Sequence, residues 1–232
     1  MTPVRISYYS DVLCIWAYAA QRRLEELVDH FGDNIEIEMR FCSVFPDAWS
    51  KIEDNWRDKK GFEGFNRHLL EVAEGFPHIS VHERIWIDTK PRSSLSAHLF
   101  VKAVELVENE RSGNGSQAIG QLESLPMLAV AELRRAFFES ALDISDWQVH
   151  KDISDTLGID YKEIDQKIRS SEAVAFLAAD YEDSQKNGVV GSPTFIMNNG
   201  RQKLFGNVGY KLLEANVQEL LRRSPQDEAS WC

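Results

Sequence analysis

Two kinds of hydrophobic pattern alternate along the first forty residues of the chain. Residues 4–12 are rich in β-branched and aromatic side chains, which predicts a strand. From Cys14 the apolar positions recur at helical spacing until Gly32 interrupts them. Apolar and polar residues then alternate from Ile35 to Phe41, which is the two-residue period of a strand. The segment therefore predicts a right-handed βαβ unit with parallel strands.

The middle of the chain, residues 47–169, contains many helix signals and no strand comparable to the first two. An apolar stripe follows Pro91 and Ser94, two residue types that are common at helix starts. A loop is predicted at residues 112–116, where the sequence reads SGNGS. Two more helix starts are indicated by pairs that resemble capping boxes, namely Ser145 with Gln148 and Asp160 with Glu163. The segment is predicted to be a helical subdomain.

The last third of the chain returns to a mixed pattern. A helix is predicted to end near Asn187, and the run PTFIMNNGRQKLFG predicts a hairpin that turns at Asn199 and Gly200. A final amphipathic helix follows. The order β-α-β, helices, α-β-β-α is the thioredoxin order, so the predicted fold is a single α/β domain with a helical insertion. The single domain is predicted to span residues 1–232. Its thioredoxin-like core is formed by residues 1–46 and 170–223, and the helical insertion by residues 47–169.

Composition and charge narrow the functional classes. The 232 residues are 43% hydrophobic and 27% charged, which is typical of a soluble globular protein. A formal charge of −11 disfavours nonspecific binding to nucleic acid or to anionic lipid. The N-terminal sequence lacks the apolar region of a secretory signal, and no apolar run approaches the roughly 18 residues that cross a bilayer. We therefore expect a cytoplasmic protein.

The cysteines offer the main candidate chemistry. Cys14, Cys42 and Cys232 form neither a disulfide framework nor a zinc-site pattern, and no metal site is predicted. Cys14 lies between a predicted strand and a predicted helix, where the helix N-terminus favours a thiolate and should lower its pKa. A buried structural cysteine is the alternative. Asp11 is expected to cap free N–H groups, the alternative being a carboxylate that influences Cys14, and His98 is expected to be a hydrogen-bonded core residue.

Several short motifs carry a family resemblance. They are "DVLCIWAY" after the first strand, "PRSSLSAH" in the middle, "DISDWQVHKDISDTLGID" later, and "NGVVGSPTF" before the hairpin. In this order the sequence resembles the DsbA-like thioredoxin-fold proteins, over almost the whole chain. That group includes cytosolic dithiol oxidoreductases, 2-hydroxychromene-2-carboxylate isomerases and kappa-class glutathione transferases.

The resemblance assigns roles to individual residues. Cys14 matches the first position of the family's C-P-W-C run and Trp16 the third, whereas Ile15 replaces the proline and Ala17 the second cysteine. The family's cis-proline falls on Pro193. The resemblance implies Cys14 as the catalytic residue, with a substrate-binding surface formed by Trp16, Ile15, Ala17, Ser192 and Pro193. The backbone N–H and C=O of Ser192 are expected to be free for an extended peptide or glutathione.

Ala17 restricts the mechanism, since a C-x-x-C enzyme uses its second thiol to resolve a mixed disulfide. The preferred hypothesis is a thiol-disulfide oxidoreductase with a single active-site cysteine, no tightly bound cofactor and glutathione as co-substrate. Cys42 or Cys232 as a resolving thiol, a glutathione-dependent isomerase or transferase, and a non-catalytic binding protein are the alternatives. The expected partners are thiol or disulfide substrates, small or protein, and not nucleic acid or membrane. A homodimer is left open.

Overall fold

The computed structural model describes residues 2–112 and 124–222. The predicted loop beyond Ser112 and the cysteine at Cys232 lie outside them. These two ranges contain four strands: β1 (Val4–Ser10), β2 (Ile35–Phe41), β3 (Thr194–Met197) and β4 (Gln202–Phe205). The helices are α1 (Ile15–Phe31), α2 (Ala48–Trp56), α3 (Gly61–Glu74), α4 (Leu95–Arg111), α5 (Leu125–Arg134), α6 (Trp147–Thr156), α7 (Tyr161–Arg169), α8 (Glu172–Lys186) and α9 (Tyr210–Arg222).

The sheet confirms the predicted fold class. Its strand order is β2-β1-β3-β4, in which β1 pairs in parallel with β2 and antiparallel with β3, and β3 pairs antiparallel with β4. The β3–β4 hairpin turns through Asn198, Asn199 and Gly200, which all have positive φ, as the Asn-Gly signal predicts. A thioredoxin-like βαβ and αββα core is thereby assembled from the two ends of the chain.

The helical insertion lies between the two halves of that core. As predicted, α2 to α7 fill it, and its only strand-like feature among the described residues is an isolated bridge between Ile85 and Thr89. Helix α4 is its central element and packs against α5, α7 and α8. Its Lys102 forms a buried ion pair with Asp180 of α8, with Nζ 2.8 Å from Oδ2. The insertion is therefore joined to the core by charge as well as by apolar packing.

The two faces of the sheet bury different side chains. On one face Tyr8, Phe195 and Met197 pack with apolar residues of α1 and α9. On the other face Tyr9 and Ile196 pack with Cys42. This division follows from the strand period of two, which sends neighbouring side chains to opposite faces.

Local details differ from the predictions at two helix or strand ends. Strand β1 ends at Ser10 rather than Val12, because the chain turns before α1. The cap of α6 is Asp146, whose side chain accepts the N–H of Gln148, so the prediction of Ser145 was one residue off. Asp160 does cap α7 and accepts the N–H of Lys162. Among the described residues, no helix is long and apolar enough to cross a bilayer.

Candidate active site

Cys14 is the last residue before α1. It has extended backbone angles (φ −85°, ψ 114°), and its carbonyl accepts the N–H groups of Ala17 and Tyr18 at 3.1 and 3.0 Å, which begins the helix. Its own N–H donates to the carbonyl of Asp11 at 3.1 Å. The turn at the end of β1 thus fixes the thiol at the helix N-terminus, where the sequence predicts it.

The thiol itself is nearly enclosed. Cys14 is 7% exposed, and its Sγ–H donates to the carbonyl oxygen of Ser192 at 3.2 Å. Burial raises the pKa of the Cys14 thiol, and the Asp11 carboxylate adds to that rise. Hydrogen bonds from the Ser192 side chain and from the N–H groups of Ala17 and Trp16 act in the opposite direction and are outweighed. The prediction of an acidic thiol is therefore wrong for this conformation, because desolvation exceeds the effect of the helix terminus.

Ser192 and Pro193 lie directly beside the thiol, as the resemblance implies. The peptide bond between them is cis. The Ser192 carbonyl accepts a hydrogen bond from the Cys14 thiol. It is therefore not free to bind a peptide or glutathione in this state, contrary to the expectation. The Ser192 hydroxyl accepts the N–H of Asp11 at 3.0 Å, and the Pro193 carbonyl accepts the N–H of Gly206 at 2.9 Å. The loop before β3 is thus tied to the end of β1 and to the segment after β4.

Asp11 does not cap α1, so that prediction was also wrong. Its carboxylate is completely buried and accepts four hydrogen bonds, at 2.8–3.1 Å, all from neutral donors. The donors are the N–H groups of Leu13, Val44 and Phe45 and the hydroxyl of Ser94. The carboxylate thereby fixes the loop after β2 and the start of α4 against the Cys14 turn.

His98 holds the same turn from α4. Its Nε2 accepts the N–H of Val12 at 3.2 Å, which leaves the ring proton on Nδ1 to donate to the Tyr181 hydroxyl at 2.9 Å. Burial lowers the pKa of His98 to about 4, against the opposing effect of Asp11. The ring is therefore neutral near pH 7, and the prediction of a hydrogen-bonded core histidine agrees with the structure.

The remaining residues of the first motif divide into two groups. Ile15 and Ala17 are buried in the main core at 5% and 0% exposure, so neither offers surface to a substrate in this conformation. Trp16 is partly exposed and meets Phe76 edge-to-face, with ring centroids 6.1 Å apart. Of the three, Trp16 is placed to form a wall beside the thiol.

Cys42 lies beside the site in a separate apolar cluster. It follows β2, its N–H donates to the Ser10 carbonyl at 3.1 Å, and its side chain packs with Tyr9 and Ile196 on the sheet face opposite Tyr8. Burial raises the pKa of Cys42, and Asp11 and Cys14 add to the effect. Cys14 and Cys42 are both unpaired thiols. This packing favours the interpretation of Cys42 as a core residue.

One buried charged residue behind α1, Arg134, was missed by sequence reasoning. Arg134 is 1% exposed and donates to Gln21 at 3.1 Å and to the Ser10 hydroxyl at 3.3 Å, while its Nε–H has no partner among the described residues. Burial raises the pKa of Tyr8 to about 12, and a hydrogen bond from Arg134 opposes that rise. An arginine on an apolar helix gives no sequence signal that it will be buried.

The arrangement centres on a single thiol. In the part of the chain that the structure describes, no group of three or more His, Cys, Asp or Glu side chains is placed to hold a metal ion. The polar groups around Cys14 are a carboxylate, a neutral imidazole and backbone groups of the cis-proline loop. They position a single protonated thiol at a helix N-terminus.

Comparisons with known proteins agree with this fold. The model of the DSBA-like thioredoxin domain family matches residues 5–218. A cytosolic disulfide reductase, DsbM from Pseudomonas aeruginosa with GSH, is 17% identical, with TM-score 0.67 and coverage of 94% of this chain and 100% of that one. A 2-hydroxychromene-2-carboxylate isomerase is 16% identical, with TM-score 0.63 and coverage of 97% and 100%.

A third solved structure, the thiol-disulfide exchange protein alpha-DsbA2 from Wolbachia pipientis, is 15% identical, with TM-score 0.57 and coverage of 94% and 82%. No curated protein sequence matches the chain. Identities this low support the shared fold and not a shared reaction. The family model, however, spans nearly the whole chain, and the chain belongs to the DSBA-like thioredoxin domain family.

Proposed function

We propose that this protein is a thiol-disulfide oxidoreductase that acts through Cys14 alone, with glutathione as the second thiol. The observation that carries the proposal is the position of Cys14 Sγ, at the N-terminus of α1 and 3.2 Å from the carbonyl oxygen of Ser192. Ala17 stands where a C-x-x-C enzyme has its resolving cysteine. Cys42 packs among Tyr9 and Ile196 in an apolar cluster that does not include Cys14, which favours a mechanism without an internal second thiol.

The proposed reaction has two exchange steps. The Cys14 thiol loses its proton and attacks the glutathionyl sulfur of a mixed disulfide R–S–S–G, which forms Cys14–S–S–G and releases R–SH with that proton. The thiolate of a second glutathione then attacks the glutathionyl sulfur, forms glutathione disulfide and returns Cys14. The net change is the reduction of one R–S–S–G by one glutathione. R is a small molecule or a protein, and the cytoplasm, where thiols are kept reduced, is the proposed location.

Burial of the thiol sets a condition on this mechanism. Because the pKa of Cys14 is raised by desolvation, the reactive thiolate is a minor species at neutral pH in this conformation. Binding of a substrate has to replace the hydrogen bond from Cys14 to the Ser192 carbonyl. The reaction rate should therefore rise with pH beyond the range in which an ordinary cysteine is fully ionised.

The same observation favours a second candidate function. A protonated thiol that donates a hydrogen bond, as Cys14 does to Ser192, could instead donate to the sulfur of bound glutathione. In a glutathione-dependent isomerase or transferase, Cys14 would then stabilise the glutathione thiolate without being oxidised. The fold likeness to the isomerase is compatible with this candidate.

Intact-mass analysis distinguishes the two candidates. After incubation with glutathione disulfide, the wild type should gain one glutathionyl group, and Cys14→Ser should gain none at that site. The adduct should persist until reduced glutathione is added. In Ala17→Cys the introduced thiol should attack Cys14 and expel glutathione, so the adduct becomes short-lived and reduction of a protein disulfide such as that of insulin becomes faster.

Three outcomes would contradict the proposal. Absence of an adduct in folded wild type and in Ala17→Cys would leave the isomerase, transferase or binding functions. An adduct that still forms in Cys14→Ser would show that another cysteine reacts. Rapid turnover in wild type that Cys42→Ser or Cys232→Ser abolishes would identify a resolving thiol elsewhere in the chain.

A further inference from the structure

The first turn of α1 supplies only part of the hydrogen bonding that an ionised Cys14 needs. A thiolate is stabilised by hydrogen-bond donors and destabilised by burial, and here the Asp11 carboxylate adds to the effect of burial. Ala17 has no polar side chain, and its N–H already donates to the Cys14 carbonyl at 3.1 Å. A donor from outside the helix is therefore required if the thiolate is the attacking group.

The described polar side chains around the Cys14 turn leave one candidate for this donor. The Asp11 carboxylate is an acceptor, and it takes the hydroxyl proton of Ser94 at 2.8 Å. The ring proton of His98 is donated to a tyrosine hydroxyl at 2.9 Å. Tyr8 donates its hydroxyl to a backbone carbonyl in the first turn of α1 at 3.5 Å. The hydroxyl of Ser192 remains.

Ser192 is held beside the thiol by its backbone and by its side chain. Its carbonyl oxygen lies 3.2 Å from Cys14 Sγ. Ser192 is buried, and its hydroxyl oxygen accepts the N–H of Asp11 at 3.0 Å, while no acceptor among the described residues takes the proton of that hydroxyl. Against the effect of burial, a hydrogen bond from this hydroxyl is the largest influence that lowers the pKa of Cys14.

We infer that the Ser192 hydroxyl is a catalytic hydrogen-bond donor to Cys14 Sγ whenever that sulfur carries negative charge. The inference rests on the proposed function, in which the Cys14 thiolate attacks in the first step and leaves in the second. The protonated thiol donates to the Ser192 carbonyl; once its proton is lost, the hydroxyl of the same residue donates to the sulfur instead. When the second step breaks the S–S bond, the electron pair returns to Cys14 Sγ, and the hydroxyl donates there without giving up its proton.

A structural role of the hydroxyl would have an effect of the opposite sign. Ser192→Ala also removes the acceptor of the Asp11 N–H, so a hydroxyl that only fixes the turn would leave a looser, better hydrated thiol. Because burial is the main cause of the raised pKa of Cys14, hydration would lower that pKa. Loss of a donor to the thiolate would raise it.

The test is the pH dependence of Cys14 alkylation by iodoacetamide, measured in a Cys42→Ser background with peptide mapping. In Ser192→Ala the midpoint should rise by about one unit and the rate at pH 7.5 should fall several-fold, because a hydrogen bond to a charged group is lost. Ser192→Thr keeps the hydroxyl and should stay near the wild-type midpoint. Ser154→Ala is the matched control, since it removes a buried serine hydroxyl that donates to the Lys151 carbonyl at 2.7 Å, and should leave the midpoint unmoved.

An unchanged or lower midpoint in Ser192→Ala would overturn the inference. An equal rise in Ser192→Thr would overturn it as well, since the hydroxyl would then not be the cause. If Ser192→Ala does not fold, Ser192→Val is compared with Ser192→Thr, because the two side chains differ only by a methyl group in place of the hydroxyl. Equal midpoints in that pair would refute the donor.

The glutathione adduct at Cys14 keeps this result distinct from the proposed function. Reduced glutathione should release the adduct several-fold more slowly in Ser192→Ala, because the Cys14 thiolate becomes a poorer leaving group. If the wild type forms no adduct although the midpoint rises in Ser192→Ala, the proposed function fails and the donor role stands. If the adduct forms and the midpoint does not rise, the proposed function stands and the inference fails.

Discussion

Two aspartates are buried among the residues that the structure describes, and they are stabilised in opposite ways. Asp180, on α8, accepts the N–H of Phe41 at 3.0 Å and pairs with two cations, Lys102 at 2.8 Å and Arg40 at 3.2 Å. Asp11, beside Cys14, accepts hydrogen bonds only from three backbone N–H groups and one hydroxyl. His98 lies 3.7 Å from it but is neutral near pH 7.

The difference separates a structural carboxylate from one that acts on the chemistry. Lys102 and Arg40 balance the charge of Asp180, and these ion pairs join the insertion to the sheet. The charge of Asp11 is fixed by dipoles and is not balanced by a cation, and it therefore raises the pKa of both Cys14 and Cys42. A negative charge that could have been neutralised by one lysine instead adds to the effect of burial, which is the main cause of the raised pKa of the Cys14 thiol.

Replacing Asp180 with Asn should have the largest effect. Burial acts to lower the pKa of Lys102, but Asp180 and Glu105 raise it, so the ammonium is charged and loses its main partner in the variant. Removal of one member of a buried pair costs about 3–5 kcal/mol. Urea unfolding should show this loss of unfolding free energy, while the pH dependence of Cys14 alkylation stays unchanged.

An exposed ion pair provides the control for that variant. The side chains of Arg111 and Glu163 form an ion pair with an N–O distance of 2.9 Å, and both are nearly half exposed. Arg111→Gln should therefore lower the free energy of unfolding by less than about 1 kcal/mol. If Asp180→Asn costs no more than Arg111→Gln, the Asp180 cluster is not a structural device. A shift of Cys14 reactivity in Asp180→Asn would remove the contrast with Asp11.

The neutral state of His98 is the second point to test, because a charged imidazole would give Asp11 a cation. The pKa of His98 is about 4 in the fold and 6.5 ordinarily, so the unfolded chain binds its proton first as pH falls. The contribution of neutral His98 to the free energy of unfolding is fully present above pH 6.5. It decreases by about 3 kcal/mol as the pH approaches 4. His150, whose pKa is also lowered to about 4 by burial, should contribute similarly.

Chemical unfolding between pH 7 and pH 4 measures this decrease. In His98→Gln the decrease should be roughly half that of the wild type, because His150 still contributes. An unchanged pH dependence in the variant would mean that His98 already carries a proton near neutral pH. Asp11 would then be paired, and its comparison with Asp180 would fail.

Much of the fold could be predicted because its signals are local. The alternation at 35–41 defines β2 to the residue, and Asn199-Gly200 defines the hairpin. Ser94 shows the limit of such signals. It stands at the start of α4, as expected, but its hydroxyl donates to Asp11 and does not cap the helix, and the Leu95 N–H is accepted by Ser93 instead. The sequence does not show which acceptor will bind the hydroxyl of a serine that precedes a helix.

The electrostatics of the site could not be predicted, because they depend on distant parts of the chain. The donors to Asp11 come from positions 44, 45 and 94 as well as from the neighbouring turn. The sequence indicates the position of Cys14 at a helix N-terminus but not its enclosure by the insertion. The sign of its pKa shift follows from that enclosure, so the local argument gave the wrong direction.

The smallest predicted effect is the most direct test of the comparison. Asp11→Asn removes the charge that helps to raise the pKa of Cys14, while the amide oxygen keeps part of the hydrogen bonding. The pH midpoint of Cys14 alkylation should fall by up to about one unit, and the rate at pH 7.5 should rise several-fold. Loss of acceptor capacity should cost about 1–3 kcal/mol of unfolding free energy.

Cys42 has to be excluded from that measurement, because Asp11 raises its pKa as well. Alkylation by iodoacetamide is therefore followed in a Cys42→Ser background, with peptide mapping to locate the label at Cys14. Asp180→Asn in the same background is the matched control, since it removes a buried aspartate of the balanced kind and should leave the midpoint unmoved. If the two variants give the same midpoint, desolvation alone keeps the thiol protonated. The unbalanced charge of Asp11 would then have no part in the chemistry of Cys14.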